Sequence, residues 1–294
     1  MPSLTLGNWR VTTVESGMLA LDGGAMFGSV PKPLWSKQQP PDDRNRIRLA
    51  MRCLLLEGEG RRLLVDDGIG TKLPEKLADI YGVDHSAHTI EGSLAALGLG
   101  VEDITDVLLT HLHFDHAGGS TKNVDGVLLP RFPRAMYHVQ RKNWDNAHRP
   151  NPREKASYLL ENFDPLEQAG VLRLWDGPQQ PWPGIELFTA DGHTRGQQLV
   201  RVSGGGHTLY FVADLIPTAS HVRIPFVMGY DVAAIETMTE KRALLEHAVA
   251  ERAWIALEHD PVVALGRPVV QNDDFGWGET VPADAAGVPA PTGR

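Results

Sequence analysis

An α+β fold with two packed β-sheets and helices outside is the class this sequence predicts, on three observations. Short apolar runs of strand length recur in both halves of the chain, at Leu49 to Leu56, Ile104 to Thr110, Ile185 to Ala190, Thr208 to Ala213 and Trp254 to Leu257. Stretches with helical spacing lie between and after them. The last four runs each lead into a histidine or aspartate, the pattern of a strand scaffold carrying functional loops along one edge.

Taken in order, Trp9 to Val14 reads as a strand. Met51 to Glu57 and Arg61 to Asp66 read as an antiparallel pair turned by Gly58-Glu59-Gly60. Thr89 to Leu97 has helical spacing, with Gly98 and Gly100 as stop signals. Ala156 to Gly170 predicts a helix broken near Asp164-Pro165. Val232 to Arg252 predicts a long amphipathic helix with Ile235, Met238, Leu244, Leu245 and Val249 on one stripe. Gly23 to Trp35 and Ser220 to Tyr230 read as apolar loops. No internal repeat of solenoid or propeller length is visible. The expected organisation is one catalytic domain over residues 1–280, then a Pro/Ala/Gly-rich flexible tail over 281–294.

Composition narrows the class. Hydrophobic residues make up 42% of the chain, enough for a substantial core, yet no apolar stretch is long enough to span a bilayer. Met1-Pro2-Ser3-Leu4-Thr5 has neither the basic region nor the apolar core of a signal peptide, so a cytoplasmic location away from membranes is expected. A net charge of −9 disfavours nucleic acid, whose phosphates require clustered Lys and Arg. The local group Arg131, Arg134, Arg141 and Lys142 reads as a solvated face. The single cysteine, Cys53, excludes an internal disulfide and a thiolate-rich metal site, and its place in Leu49 to Leu56 makes it a buried strand residue.

The chemistry is concentrated in Thr110-His-Leu-His-Phe-Asp-His-Ala-Gly-Gly119. Imidazole nitrogen and carboxylate oxygen are the ligands that zinc and similar divalent ions take. His111 and His113 share one side of an extended chain and can reach one ion. Asp115 and His116, at the turn, point differently and suit a second ion beside the first. Gly118 and Gly119 fit a place where backbone passes close to a crowded site or takes a positive φ. Further ligand types follow other strands: His193 in Asp191-Gly192-His193-Thr194, Asp214 after Ala213, and His259 in Glu258-His259-Asp260.

On these residues the chain resembles the metallo-β-lactamase superfamily of metallohydrolases over residues 10–275. The resemblance implies a four-layer αββα sandwich of two mixed β-sheets flanked by helices. It implies that His111, His113 and His193 hold one metal, that Asp115, His116 and His259 hold the other, and that Asp214 bridges them. Leu64-Val65-Asp66-Asp67-Gly68 is similar to the family's early strand-end Asp-x-Gly, which would make Asp66 a hydrogen-bond partner of a ligand. The cofactors so implied are two divalent ions, zinc by default and manganese, iron or cobalt as alternatives. Such a pair can lower the pKa of a bridging water towards neutrality and polarise the scissile carbonyl, with Asp115 as the proton acceptor.

The motif most resembles the N-acyl homoserine lactonases and the related methyl-parathion-hydrolase-like branch. The expected substrate is therefore a small, largely apolar ester, foremost a lactone, with phosphotriester or aryl ester turnover at the side. The lactonases place a tyrosine shortly after the bridging aspartate, whereas Leu215-Ile216-Pro217-Thr218 follows Asp214 here, leaving Tyr230 as the candidate substitute. The candidate pocket residues are Met26, Phe27, Trp35, His221, Arg223, Phe226 and Tyr230, from two apolar segments that suit either a pocket or a homodimer interface. The alternatives are a glyoxalase II-type thioesterase, a sulfur dioxygenase-like mononuclear iron oxidase and a non-catalytic binding protein. The first branch carries a helical domain after its last ligand that is not expected here, and the intact second ligand set disfavours the others.

Overall fold

The computed structural model describes residues 1–285. Its strands run as β1 (Ser3–Leu6), β2 (Trp9–Asp22), β3 (Arg46–Gly58), β4 (Arg61–Val65), β5 (Asp106–Leu108), β6 (Thr121–Val124), β7 (Val127–Pro130) and β8 (Met136–Gln140) in the first part of the chain. The series continues with β9 (Leu172–Trp175), β10 (Gln179–Trp182), β11 (Ile185–Ala190), β12 (Gln197–Gly204), β13 (His207–Phe211), β14 (Trp254–Ala256), β15 (Val263–Gln271) and β16 (Asp274–Pro282). One sheet has the order β1-β2-β3-β4-β5-β8-β9 and a second the order β10 to β16, while β6 and β7 form a separate hairpin. Both large sheets are mixed: β4, β5, β8 and β9 pair in parallel, as do β13 and β14, and the other neighbours are antiparallel.

The period-two alternation of strand side chains builds the layers. Leu54, Leu56, Leu63 and Val65 face inward and share a core with Leu187, Val200, Val202 and Phe211 of the second sheet. Their neighbours Cys53, Leu55 and Leu64 face outward beneath Leu94 of helix Ile90–Ala95 and Trp144 of helix Arg141–His148. On the opposite side Leu199, Tyr210 and Ile255 are covered by Leu244, Leu245 and Ala248 of helix Ala234–Ala250. The order helix, sheet, sheet, helix is the expected αββα sandwich.

Several local expectations are met. The β3–β4 hairpin turns through Glu59 and Gly60, both at positive φ as its tight reversal requires. Thr89 caps helix Ile90–Ala95 by accepting from Gly92 N. Cys53 is fully buried.

Others need correction. In helix Ala234–Ala250 the buried face is Thr237, Lys241, Leu244, Leu245 and Ala248, and Ile235 of the expected stripe is 74% exposed. The apolar pattern misleads because a lysine holds a core position: Lys241 Nζ donates to the carbonyls of His221, Arg223 and Phe226 at 3.1, 2.9 and 2.6 Å. The broken helix expected over 156–170 is instead two 3₁₀ turns and the short helix Asp164–Gln168. Pro165 lies in the first turn of that helix, where its missing N–H costs nothing. Gly23 to Trp35 is not a plain loop but holds two short helices, Gly23–Phe27 and Lys32–Trp35. The expected tail from 281 overlaps β16, in which Val281 is buried, and Ala283 N donates to Val262 O at 2.8 Å. Residues 286–294 of that tail lie outside the described residues.

Candidate metal centre

Four loops at one edge of the sandwich converge. The loop after β5 carries His111 and His113 and turns into the short helix Phe114–Ala117, which holds Asp115 and His116. From the second sheet come His193 after β11, Asp214 in a 3₁₀ turn after β13, and His259 after β14. All seven expected ligands are buried there. Crowding explains the glycines: a Cβ on Gly118 would collide with Ile69 O, and one on Gly119 with Asp67 O. Close approach, not positive φ, is what these two positions require.

The ligand atoms form two groups within reach of single ions, His111, His113, His193 and Asp214 in one and Asp115, His116 and His259 in the other. In the first, His113 Nδ1 lies 3.0 Å from His111 Nε2 and 3.2 Å from His193 Nε2, and Asp214 Oδ2 lies 3.0 Å from His193 Nε2. In the second, His116 Nε2 and His259 Nε2 are 3.2 Å apart, and Asp115 Oδ2 is 3.9 Å from each. Asp214 touches both groups, its Oδ1 lying 3.0 Å from His259 Nε2. One carboxylate thus lies within reach of both groups.

The outward ring nitrogens decide what can occupy the space between the inward ones. His259 Nδ1 lies 2.8 Å from Ala50 O, which can only accept, so this nitrogen carries the proton. His193 Nδ1 meets Asp231 Oδ1 at 2.9 Å, and His116 Nδ1 meets Asp66 Oδ2 at 3.0 Å. When neutral, rings so fixed turn their bare lone pairs inward, where a bound cation can take them. The local field agrees. Burial opposes charge on His193 and His259, yet Asp214 and further carboxylates outweigh it and lift them to about 10 and about 9. Burial and the neighbouring imidazoles hold His111 well below its usual value, so the field favours positive charge without letting every ring carry it. The residues therefore fit divalent metal ions.

Asp66 meets more than His116. It stands at φ 57° at the end of β4, accepting from Thr110 N at 2.6 Å and Thr110 Oγ1 at 2.7 Å as well as facing His116. One strained carboxylate thus pins the start of the ligand loop. Sequence reasoning missed three companions. Glu258 Oε1 lies 3.1 Å from His116 Nδ1, and burial pushes its carboxyl up to about 8. Asp231 orients His193, and Glu154 Oε2 lies 3.9 Å from His113 Nε2. Only Glu258 left a signal, its place directly before His259.

A cavity of about 160 Å³ opens beside Asp115, His193, Asp214 and His259. Of the expected pocket residues, Met26 and Tyr230 line it. The structure corrects the others. Phe27, Trp35 and Phe226 form a core cluster behind the wall, Phe27 stacking on Trp35 at 5.2 Å. His221 is buried too, stacked on Phe27 at 4.7 Å and bonded to Thr218 Oγ1 and Met26 O. Arg223 lies over the Phe226 ring with its Nε 3.6 Å from Asp274. The apolar loops thus supply mainly a foundation. The remaining wall comes from Met228 of the 220–230 segment and from residues not foreseen, including Leu21, Leu49, Tyr81, Phe114 and Arg153.

Strand-end histidines and carboxylates in two facing groups on an αββα sandwich define a metallohydrolase class. The chain belongs to the metallo-β-lactamase superfamily, whose profile matches residues 50–259. A "probable metal-dependent hydrolase" from Staphylococcus aureus superposes with a TM-score of 0.84 at 31% identity, covering 95% of this chain and 100% of that one. An N-acyl homoserine lactonase of Bacillus sp is 25% identical, over 73% of this chain and 82% of its own. AidC, a dizinc quorum-quenching lactonase, shares the fold with a TM-score of 0.77 at 20% identity, covering 94% of this chain and 95% of its own.

Proposed function

We propose that the protein is a dinuclear metal-dependent hydrolase of small, largely apolar esters, and that a lactone of the acyl homoserine type is its foremost substrate. The observation that carries the dinuclear reading is Asp214, whose carboxylate reaches both ligand groups, Oδ2 lying 3.0 Å from His193 Nε2 and 3.5 Å from His116 Nε2 and Oδ1 3.0 Å from His259 Nε2. His111, His113 and His193 would hold one ion, and Asp115, His116 and His259 the other. When bound, two such ions, zinc by ligand type, supply an acidified water and a Lewis acid for the carbonyl oxygen.

The chain's own groups do the rest. Asp115 Oδ2, at the cavity wall between the two imidazoles of its group, accepts the proton released as the ester carbonyl is attacked and returns it to the leaving alkoxide. Asp66 and Asp231 hold the protons on the outward nitrogens of His116 and His193 and so keep the inward lone pairs fixed. Met26, Leu49, Phe114 and Met228 exclude water and receive the apolar part of the substrate. Lactonase relatives support this choice of ester. A hydrolysis panel on metal-replete protein tests it, comparing acyl homoserine lactones, simple lactones, aryl esters, a phosphotriester, a glutathione thioester and a β-lactam. Lactone opening is the expected result, and turnover of the thioester alone would overturn it.

A further inference from the structure

One charged side chain lines the cavity without belonging to either ligand group or orienting a ligand. Arg153 shares the 160 Å³ space with Asp115, His193 and Asp214. Among the described residues its guanidinium partner is a carbonyl oxygen, that of Gly229, rather than a carboxylate. An arginine offers five N–H donors in a rigid fork, so most of its capacity for a carboxylate remains free. The backbone beneath it is fixed: Asn151 Oδ1 accepts from Arg153 N at 2.9 Å and from Glu154 N at 3.3 Å. Glu154 in turn accepts from Thr194 Oγ1 at 2.8 Å, beside the ligand His193. A free cation is thus anchored one residue away from a group tied into the metal centre.

The electrostatics of the cavity make that cation informative. Besides the histidines, the acidic and basic side chains lining it are Asp115, Glu154, Asp214 and Arg153, within a chain of net charge −9. Among the lining side chains outside the two ligand groups, Arg153 is the cation that an anionic substrate can meet at the rim. The enclosed volume is small for a whole substrate, so it holds the reacting end while the remainder lies at the rim, where Arg153 and the 38% exposed Tyr230 stand.

Resting on the ester-hydrolase reading above, we infer that Arg153 is a specificity residue that pairs with a carboxylate on the substrate, remote from the bond that breaks. The cavity then takes monoanionic esters or lactones in preference to neutral ones of the same length.

The test measures binding, so that it does not depend on turnover. Metal-replete wild-type protein, Arg153→Gln and Arg153→Lys are titrated calorimetrically with two inert amides of equal length, one ending in a carboxylate and one in a methyl group. The wild type should prefer the anion, and Arg153→Gln should lower that preference about fivefold, the scale of an ion pair at a half-open site. Arg153→Lys should recover part of it, and added salt should weaken it. No anion preference in the wild type, or an equal factor on both amides in Arg153→Gln, would overturn the inference and leave Arg153 as a clasp on Gly229. Turnover of the matching esters is read in parallel. Intact anion preference without ester turnover would sink the ester reading and keep Arg153 as a carboxylate site.

Discussion

At the scale of single residues, two carboxylates divide the work of building the centre. Asp214 reaches members of both ligand groups, so Asp214→Ala should lose at least one metal equivalent by elemental analysis. Retention of two equivalents would remove its bridging role. Asp66 touches no inward nitrogen but fixes His116 and the Thr110 backbone. Asp66→Asn should therefore weaken metal affinity by roughly 10- to 100-fold in chelator competition, with an unchanged affinity counting against it. The ligands were legible in the sequence because imidazoles and carboxylates at strand ends are costly unless they are used. Asp231 and Glu154 were not, since neither lies in a ligand-like motif and each gains its meaning only from a histidine distant in the chain. Arg153 was hidden for the same reason, as one basic residue among exposed neighbours.

At the scale of elements, hydrophobic period located the strands well and the surface of the long helix less well. Val65, Leu63, Leu56 and Leu54 alternate inward with no polar interruption, and the strand pairs follow. Helix Ala234–Ala250 instead turns Lys241 inward, because three loop carbonyls left by the 221–226 segment require a donor. The rotation this imposes is testable. Leu245→Ala should cost about 2–5 kcal/mol in urea unfolding, whereas Ile235→Ala should stay within about 0.5 kcal/mol. Equal costs would place the buried face elsewhere. The apolar segments around Phe27 and Phe226 show the limit of the same method: hydropathy marks them as buried but does not say whether a ligand or another side chain covers them. Ring stacking and the bond from His221 to Met26 O turn most of them into core.

At the scale of the whole molecule, the fold class, the sheet count and the ligand positions follow from the sequence, and the wall of the cavity does not. That wall draws on β2, β3, the 149–157 segment and the 220–230 loop, which only tertiary packing brings together. Crowding buried imidazoles and carboxylates together without an ion costs stability. Prolonged chelation should lower the melting temperature by the order of ten degrees, recovered on adding zinc, the shift expected of a ligand held far above its dissociation constant. A melting temperature indifferent to chelation would show that the loops hold their geometry unaided. Each ligand group, moreover, takes members from both sheets: His111 and His113 with His193 and Asp214, Asp115 and His116 with His259. Neither half of the chain can assemble a complete coordination set alone. Full coordination therefore requires the two sheets to be docked, so completion of the metal centre reports on the docking of the two halves.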